Sequence, residues 1–363
     1  MSEPDRLRAA LEQYADPYLR QTLGECAALR ALRIEGQTVS ASIALGIPVR
    51  GYETQFRDAL AAHLVAAGFP GLRLEIELAS AIVAHSVQRS LKPLPGVSNV
   101  IAVASGKGGV GKSTVAVNLA LAWAAAGARV GILDADIYGP SQPLMLGLAG
   151  QRPTAPDGKH LVPLRAHGVQ AMSIGFLVDA AQALVWRGPM VTQALSQLLA
   201  DTAWGELDYL VVDMPPGTGD IQLTLAQRVP VAGAVIVTTP QEIALADARK
   251  GLAMFEKVAV PVLGVVENMS LHVCSQCGHV EHLFGAGGGA RMAAECGVQL
   301  LGELPLDARV GAETDAGRPT VVAAAGTPRA APYVELARHT AGALARRGRD
   351  RSALFPKIVI EES

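Results

Sequence analysis

Ser105-Gly106-Lys107-Gly108-Gly109-Val110-Gly111-Lys112-Ser113-Thr114 is the stretch that decides the fold. It fits G-x-x-x-x-G-K-[ST], the P-loop pattern. Asn99-Val-Ile-Ala-Val-Ala104 in front is a short, apolar, β-branched run and reads as a buried strand. Thr114 to Ala126 behind is rich in Ala and Leu and reads as a helix ending at Gly127. Strand, glycine loop and helix are what phosphate binding needs. The glycines let backbone N–H groups turn toward an anion, and the helix N-terminus adds partial positive charge. The pattern predicts Lys112 at the β- and γ-phosphates and Ser113 on Mg²⁺. A glycine-rich turn carrying an exposed lysine is the bland alternative, and it accounts for neither flank.

Working outward, 363 residues suffice for one large domain and a small one, and half of them are hydrophobic. A net charge of −2 shows no basic excess that would make nucleic acid the main partner. The start, Met-Ser-Glu-Pro-Asp-Arg, has no apolar h-region, and no run is apolar enough to span a bilayer. The expectation is a cytoplasmic, soluble protein with no membrane partner. Four cysteines are too few for a disulfide scaffold at this length, so a close pair points to metal or redox chemistry.

Residues 1–90 read as a small α/β domain. Pro4 to Tyr14 and Tyr52 to Gly68 are helical in pattern. Ala31–Glu35, Thr38–Leu45 and Gly71–Leu78 alternate as half-buried strands do, with a turn at Gly36-Gln37. Residues 91–98, in a stretch with Pro93, Pro95 and Gly96, read as a linker. From 99 to 347, apolar runs at Arg129–Leu133, Leu207–Val212, Gly233–Thr238, Val262–Val266 and Gln299–Gly302 alternate with helical stretches. That is the pattern of an α/β fold with a mostly parallel sheet flanked by helices. Residues 150–186 are less regular and suggest a hairpin insertion; Tyr333–Arg347 is a final helix, and 348–363 a mobile tail.

Lys107 narrows the class. A plain P-loop does not require a lysine directly after its first glycine. Lys-Gly-Gly-Val-Gly-Lys-Ser resembles the deviant Walker A motif of the ATPases that include Mrp/ApbC proteins, nitrogenase iron protein, MinD, ParA and ArsA. The resemblance implies a homodimer in which Lys107 reaches across to the partner's ATP. It also implies that Gly106 through Thr114 contact nucleotide. Asp134-Ala-Asp136 then looks like switch I, with Asp136 activating the attacking water and Asp134 near Mg²⁺. Asp213 in Asp-Met-Pro-Pro-Gly-Thr-Gly-Asp220 looks like Walker B running into switch II. Its carboxylate would hold Mg²⁺ through water, and the Gly217 N–H would sense the γ-phosphate. Asn268 matches the adenine-recognising position, with Pro305 lining the base from the other side. Taken alone, Asp134 and Asp136 read better as loop-capping residues and Asn268 as a turn former, whereas a structural turn accounts less well for the acid at position 213, at the end of an apolar strand. The first 90 residues resemble the small domain preceding many bacterial Mrp ATPases, although Gly46-Ile47-Pro48-Val49-Arg50 lacks the cysteine that relatives carry there; docking to partners is the expected role.

Cys274-Ser-Gln-Cys277 follows Asn268 closely. Two thiolates at this spacing grip one edge of a cluster or one metal ion, whereas a tetrahedral zinc or a Cys-ligated cluster takes four ligands. The dimer implied by Lys107 supplies four thiols, and the arrangement resembles the Mrp/ApbC iron–sulfur carriers, as does Trp186-Arg-Gly-Pro-Met190. One rival is structural zinc held by Cys274, Cys277 and two of His272, His279 and His282. A MinD/ParA-like positioning ATPase is another, and a non-catalytic scaffold a third. The resemblance implies an ATP-hydrolysing carrier. It would hold a labile [4Fe–4S] cluster between two subunits and exchange it with apo iron–sulfur clients and upstream scaffold proteins, with ATP and Mg²⁺ as cofactors.

Overall fold

Ser2 opens the first helix, α1 (Glu3–Gln13), with a capping box: its hydroxyl accepts from the Asp5 N–H while Asp5 accepts from the Ser2 N–H. The computed structural model describes residues 2–177 and 188–349. Trp186 and the tail from residue 350 therefore lie outside the described residues. β1 (Leu29–Glu35) and β2 (Thr38–Leu45) form a hairpin through Gly36. α2 (Glu53–Ala66) returns the chain so that β3 (Arg73–Ser80) pairs parallel to β2. The alternating burial of β2 matches its alternating sequence, one face on the helices and one toward water.

The second sheet has eight strands among the described residues. They are β4 (Val100–Ser105), β5 (Val130–Asp134), β6 (Leu164–Ala166), β7 (Val169–Ser173), β8 (Tyr209–Asp213), β9 (Gly233–Thr238), β10 (Val262–Asn268) and, after a small two-stranded hairpin, β13 (Leu300–Leu304). Their order is β13-β10-β9-β4-β8-β5-β7-β6, and every pairing is parallel except β6 with β7. The expected insertion is that hairpin, and β7 extends the sheet beside β5. β4, β5, β8 and β9 are buried at every position, as their uninterrupted apolar runs require when helices cover both faces. α3 (Lys112–Ala125) crosses one face. Its Trp123 stacks on Tyr209 with centroids 4.3 Å apart and donates to the Ala337 carbonyl of the last helix, α11 (Ala331–Ala345), at 2.8 Å. α3 begins two residues earlier than its Ala/Leu pattern suggests, because Gly111 caps it in the left-handed region at φ +81°.

The strand order puts five chemistry-bearing strand ends at one edge. Asp213 lies level with Asp134 on one side and Val103 on the other, and Asn268 lies level with Leu304. In parallel sheets this carboxyl edge is where ligands sit.

The first module is seated on α11. Arg338 donates to the Gly51 carbonyl at 2.9 Å and lies over the rings of Tyr18 and Tyr52, while Tyr18 donates to Glu335 at 2.8 Å. Buried Asp16 accepts from the Tyr18 and Leu19 N–H groups and from the Tyr52 hydroxyl, which fixes that corner. The stretch before β4 is also fastened: Gln88 donates to Ala226 and Val229 and accepts from the Val231 N–H. Where α11 meets the corner, a Cβ on Gly342 would stand 2.1 Å from the Tyr18 carbonyl oxygen. Inside an ordinary helix Gly→Ala gains about 1 kcal/mol. Here the clash reverses the sign, and Gly342→Ala is expected to destabilise the protein by about 1–3 kcal/mol in urea unfolding.

Candidate functional site

The glycine loop wraps the end of β4, and Lys112 opens α3 with its side chain turned back beneath the loop. The ammonium is buried and donates to Asp213 Oδ1, and at 3.2 Å to the Ser113 hydroxyl. Asp213 is fully buried at the end of β8. Its second oxygen accepts from Gln142 Nε2 at 2.8 Å, and the same amide donates to the Ser113 carbonyl at 3.2 Å. Gln142 begins α4 (Gln142–Met145), just beyond the Asp134–Ser141 loop. Its own N–H donates to Asp134 Oδ2 at 3.1 Å, and Ser173 donates to that oxygen too. Asp134 Oδ1 accepts from the Asp136 N–H at 3.1 Å, which tightens the turn carrying Asp136. Lys112, Ser113, Asp134 and Asp213 thus form one buried network with Gln142 at its centre.

Lys112 matches the charge of Asp213, and hydrogen-bond donors rather than a second cation face Asp134, as burial of ionised groups demands. Two carboxylates and a hydroxyl are the hard oxygen donors that suit Mg²⁺, so the residues fit that ion. Asp136 is half-buried beside a cleft of about 430 Å³ between the two aspartate-bearing loops, lined by Tyr138, Pro215, Pro216 and Gln222 among others. Burial raises its carboxyl above the usual range, opposed by Lys112. The Gly217 N–H is engaged, donating to the Ser105 carbonyl at 3.0 Å. Lys107 is half-buried in the loop, and its ammonium has no ion-pair partner among the described residues.

Asn268 is not an open recognition group here. Its amide donates at 2.8 Å to the Val110 carbonyl of the glycine loop, and a Cβ on Gly111 would sit 2.2 Å from that nitrogen. One N–H and the carbonyl oxygen of the amide remain for a base. Pro305 follows Leu304, the residue level with Asn268, so the two stand side by side. Glu267, next to Asn268 and fully buried, accepts from the Gly289 N–H at the start of α8 (Gly288–Glu295).

Between β10 and α8 lies the cysteine pair, at the tip of the small hairpin β11 (His272–Val273) and β12 (Val280–Glu281). The Cys274 N–H donates to the His279 carbonyl, and the Gly278 N–H to the Cys274 carbonyl, both at 2.9 Å. Gly278 takes φ +72°, which closes the knuckle. The Cys277 and Gln276 N–H groups face the Cys274 sulfur and hold its thiol below the usual value, favouring thiolate. Cys277 is exposed. The single-chain zinc set does not assemble: among the described residues no three of His, Cys, Asp or Glu converge. His272 and His282 each turn Nδ1 to a backbone carbonyl, of Leu306 and Ser270. Cys26 and Cys296 are partly buried elsewhere. No helix among the described residues is long and apolar enough to cross a membrane.

Sequence reasoning missed Gln142 and Ser173. Neither belongs to a motif, and only the proximity of β5, β7 and β8 gives them a role.

The family model described as NUBPL iron-transfer P-loop NTPase matches residues 96–341, and one described as iron-sulfur cluster assembly protein matches residues 4–68. A Pseudomonas fragi protein named iron-sulfur cluster carrier protein is 61% identical over 264 residues, 72% of this chain and 92% of that protein. The mouse iron-sulfur cluster transfer protein NUBPL is 52% identical over 248 residues, 68% and 77% of the two chains. Among solved structures, a nucleotide-binding protein from Archaeoglobus fulgidus in complex with ADP aligns with TM-score 0.56 and 41% identity, covering 61% of this chain and 88% of that one. The Pyrococcus furiosus cell division ATPase MinD, at 22% identity and TM-score 0.50, covers 66% of this chain and 97% of its own and shares the fold.

Burial, then the negative charge of Asp213, raises the Asp134 carboxyl above the ordinary carboxylate range. The folded chain then binds that proton more tightly than the unfolded chain. Stability of the nucleotide-free protein should therefore fall as pH rises from the ordinary carboxylate range toward neutrality. Asp134→Asn is expected to flatten that slope, as read by urea titrations at about pH 5 and about pH 7.5.

Proposed function

We propose, on the premise that the chain belongs to the NUBPL iron-transfer P-loop NTPase family, that it is an iron–sulfur cluster carrier whose hold on its cargo is governed by ATP. The observation that carries this reading is the exposed Cys274/Cys277 knuckle, with its lowered thiol, six residues beyond the Asn268 that braces the glycine loop. A two-thiol knuckle is half of a four-ligand site. A second copy of the chain completes it, and a [4Fe–4S] cargo bridges the two. Lys107, without an ion-pair partner among the described residues of its own chain, is suited to the partner's nucleotide across the same twofold axis. Apo iron–sulfur proteins are the recipients, and upstream scaffold proteins the donors.

The nucleotide chemistry follows from the network. ATP phosphates draw Lys112 away from Asp213, because an ammonium exchanges one carboxylate for several phosphate oxygens. Ser113 and, through water, Asp213 and Asp134 would hold Mg²⁺, which when bound neutralises charge on the β- and γ-phosphates. Asp136 orients a water in the cleft for in-line attack on the γ-phosphorus. The P–O bond to the β-phosphate breaks, its electron pair stays on ADP, and the water's proton leaves through Asp136. Lys112 and the partner's Lys107 stabilise the charge on the transferred phosphoryl group. Gly217 becomes available to the γ-phosphate only when its bond to Ser105 opens, which makes that loop the sensor. Asn268 and Pro305 flank the adenine. The first 90 residues form a docking module held at a fixed attitude on α11.

Anaerobic reconstitution with iron and sulfide tests the reading. One cluster per dimer is expected in the wild type and none in the Cys274→Ala/Cys277→Ala protein, read by absorbance, metal content and mass. Zinc at one per monomer with no iron uptake would overturn it. Lys112→Ala is expected to lower ATP turnover at least about 100-fold, while the double cysteine variant keeps its ATPase activity.

A further inference from the structure

We propose that His282 is a positioning residue that ties the cysteine knuckle to the glycine loop, so that nucleotide binding reorients the thiols; this rests on the carrier reading above. The connection is short and continuous. Its first link is the buried Asn268 amide, bonded to the Val110 carbonyl and pressed on Gly111. The next residue, Met269, is held at φ +58°, and its methyl group also lies against Gly111. A non-glycine residue is strained in that region, so this bend is maintained by its surroundings. Ser270 follows, with both its N–H and its hydroxyl donating to the Leu304 carbonyl. The Ser270 carbonyl then accepts from His282 Nδ1 at 2.8 Å. A carbonyl only accepts, so the proton sits on Nδ1 and the ring is a donor.

The knuckle is closed by its own backbone bonds between Cys274, Gly278 and His279, and so moves as a unit. It is fastened at two points. His272 Nδ1 meets the Leu306 carbonyl at 3.0 Å beyond β13, on the body of the sheet. His282 meets Ser270, two residues from the amide that touches the glycine loop. The Leu306 attachment is on the sheet; the other hangs from the Ser270 carbonyl, and the two bonds from Ser270 to Leu304 make that residue a pivot between the glycine loop and the knuckle. When phosphates enter and the loop carbonyl at Val110 shifts, Asn268 and Met269 shift with it, the Ser270 carbonyl turns about the bonds that hold Ser270 to Leu304, and the His282 bond turns the knuckle about its His272 end.

The test is the alkylation rate of Cys274 and Cys277 in the full-length, cluster-free protein. It is read by mass spectrometry of the peptide that carries both residues, without nucleotide and with Mg-ATP, with nucleotide binding checked separately by fluorescence. The wild type is expected to show a difference of about fivefold between the two states, the low end for coupled sites because one part-buried hydrogen bond carries it. H282N, which keeps a donor near the Nδ1 position, should retain that difference. H282F, which keeps the ring without the donor, and H282A should react equally in both states while still binding ATP. A wild-type-sized response in H282F, loss of ATP binding in H282F, or no response in the wild type overturns the proposal. The carrier reading fails separately, if the wild type takes up no iron and sulfide.

Discussion

Everything at the sheet edge follows from burying the Lys112 ammonium against the Asp213 carboxylate. Each charge alone would lose several kcal/mol of hydration on burial. Together they are tolerable only with the remaining lone pairs satisfied, which is what Gln142, Ser113 and the packing of β5 beside β8 provide. The pair is therefore stable but exchangeable. A group offering Lys112 more negative oxygen than Asp213 does can displace it, and the released carboxylate is then free for a hydrated cation. In the proposed reading, phosphate and Mg²⁺ together are that ligand. The same logic explains why Asp134 is held by three hydrogen-bond donors. It is a second negative charge next to Asp213, and its neighbours supply N–H and O–H groups because no second cation is available.

Much of this edge was legible in the sequence because its signals are local. The glycine loop, the apolar strand before it and the Ala-rich helix after it occupy consecutive residues, and an acid at the end of an apolar run marks itself. The mostly parallel sheet was legible for a similar reason, since strands buried on both faces cannot alternate. Gln142 was not legible. A glutamine after Pro-Ser carries no local signal, and its role exists only because three strands from distant parts of the chain converge on it. The small hairpin β6/β7 left only a general irregularity in the sequence, because its strands are short and one of them is at the sheet edge. The seating of the first module on α11 was invisible too, since a glycine at 342 inside a helical pattern reads as a weakness, not as a point of close approach.

The histidines near the cysteine pair show where composition misleads. Three imidazoles within ten residues of two thiols suggest a metal site by count. In the fold, two of them spend a ring nitrogen on backbone carbonyls and fasten the hairpin at its two ends. What decides between ligand and fastener is the direction of a ring, which spacing does not encode.

An exposed two-thiol knuckle is poorly suited to retaining a cluster and well suited to handing one over. Backbone N–H groups aimed at Cys274 make the thiolate available, yet with only two ligands per chain, retention depends on whatever completes the set. In the proposed dimer that is the partner's pair, so cargo affinity depends on how two chains are apposed and on how each knuckle is turned. Both are geometric variables, and in the proposed scheme both are under nucleotide control, one through Lys107 and the other through Asn268. Coupling of this kind is reciprocal: if ATP alters the hold on the cluster, the cluster must alter the hold on ATP by the same factor. A carrier built this way can bind cargo in one nucleotide state and offer it in another without a dedicated release site. This accounts for the placement of the thiols on a hairpin that directly follows a strand whose last residue touches the glycine loop.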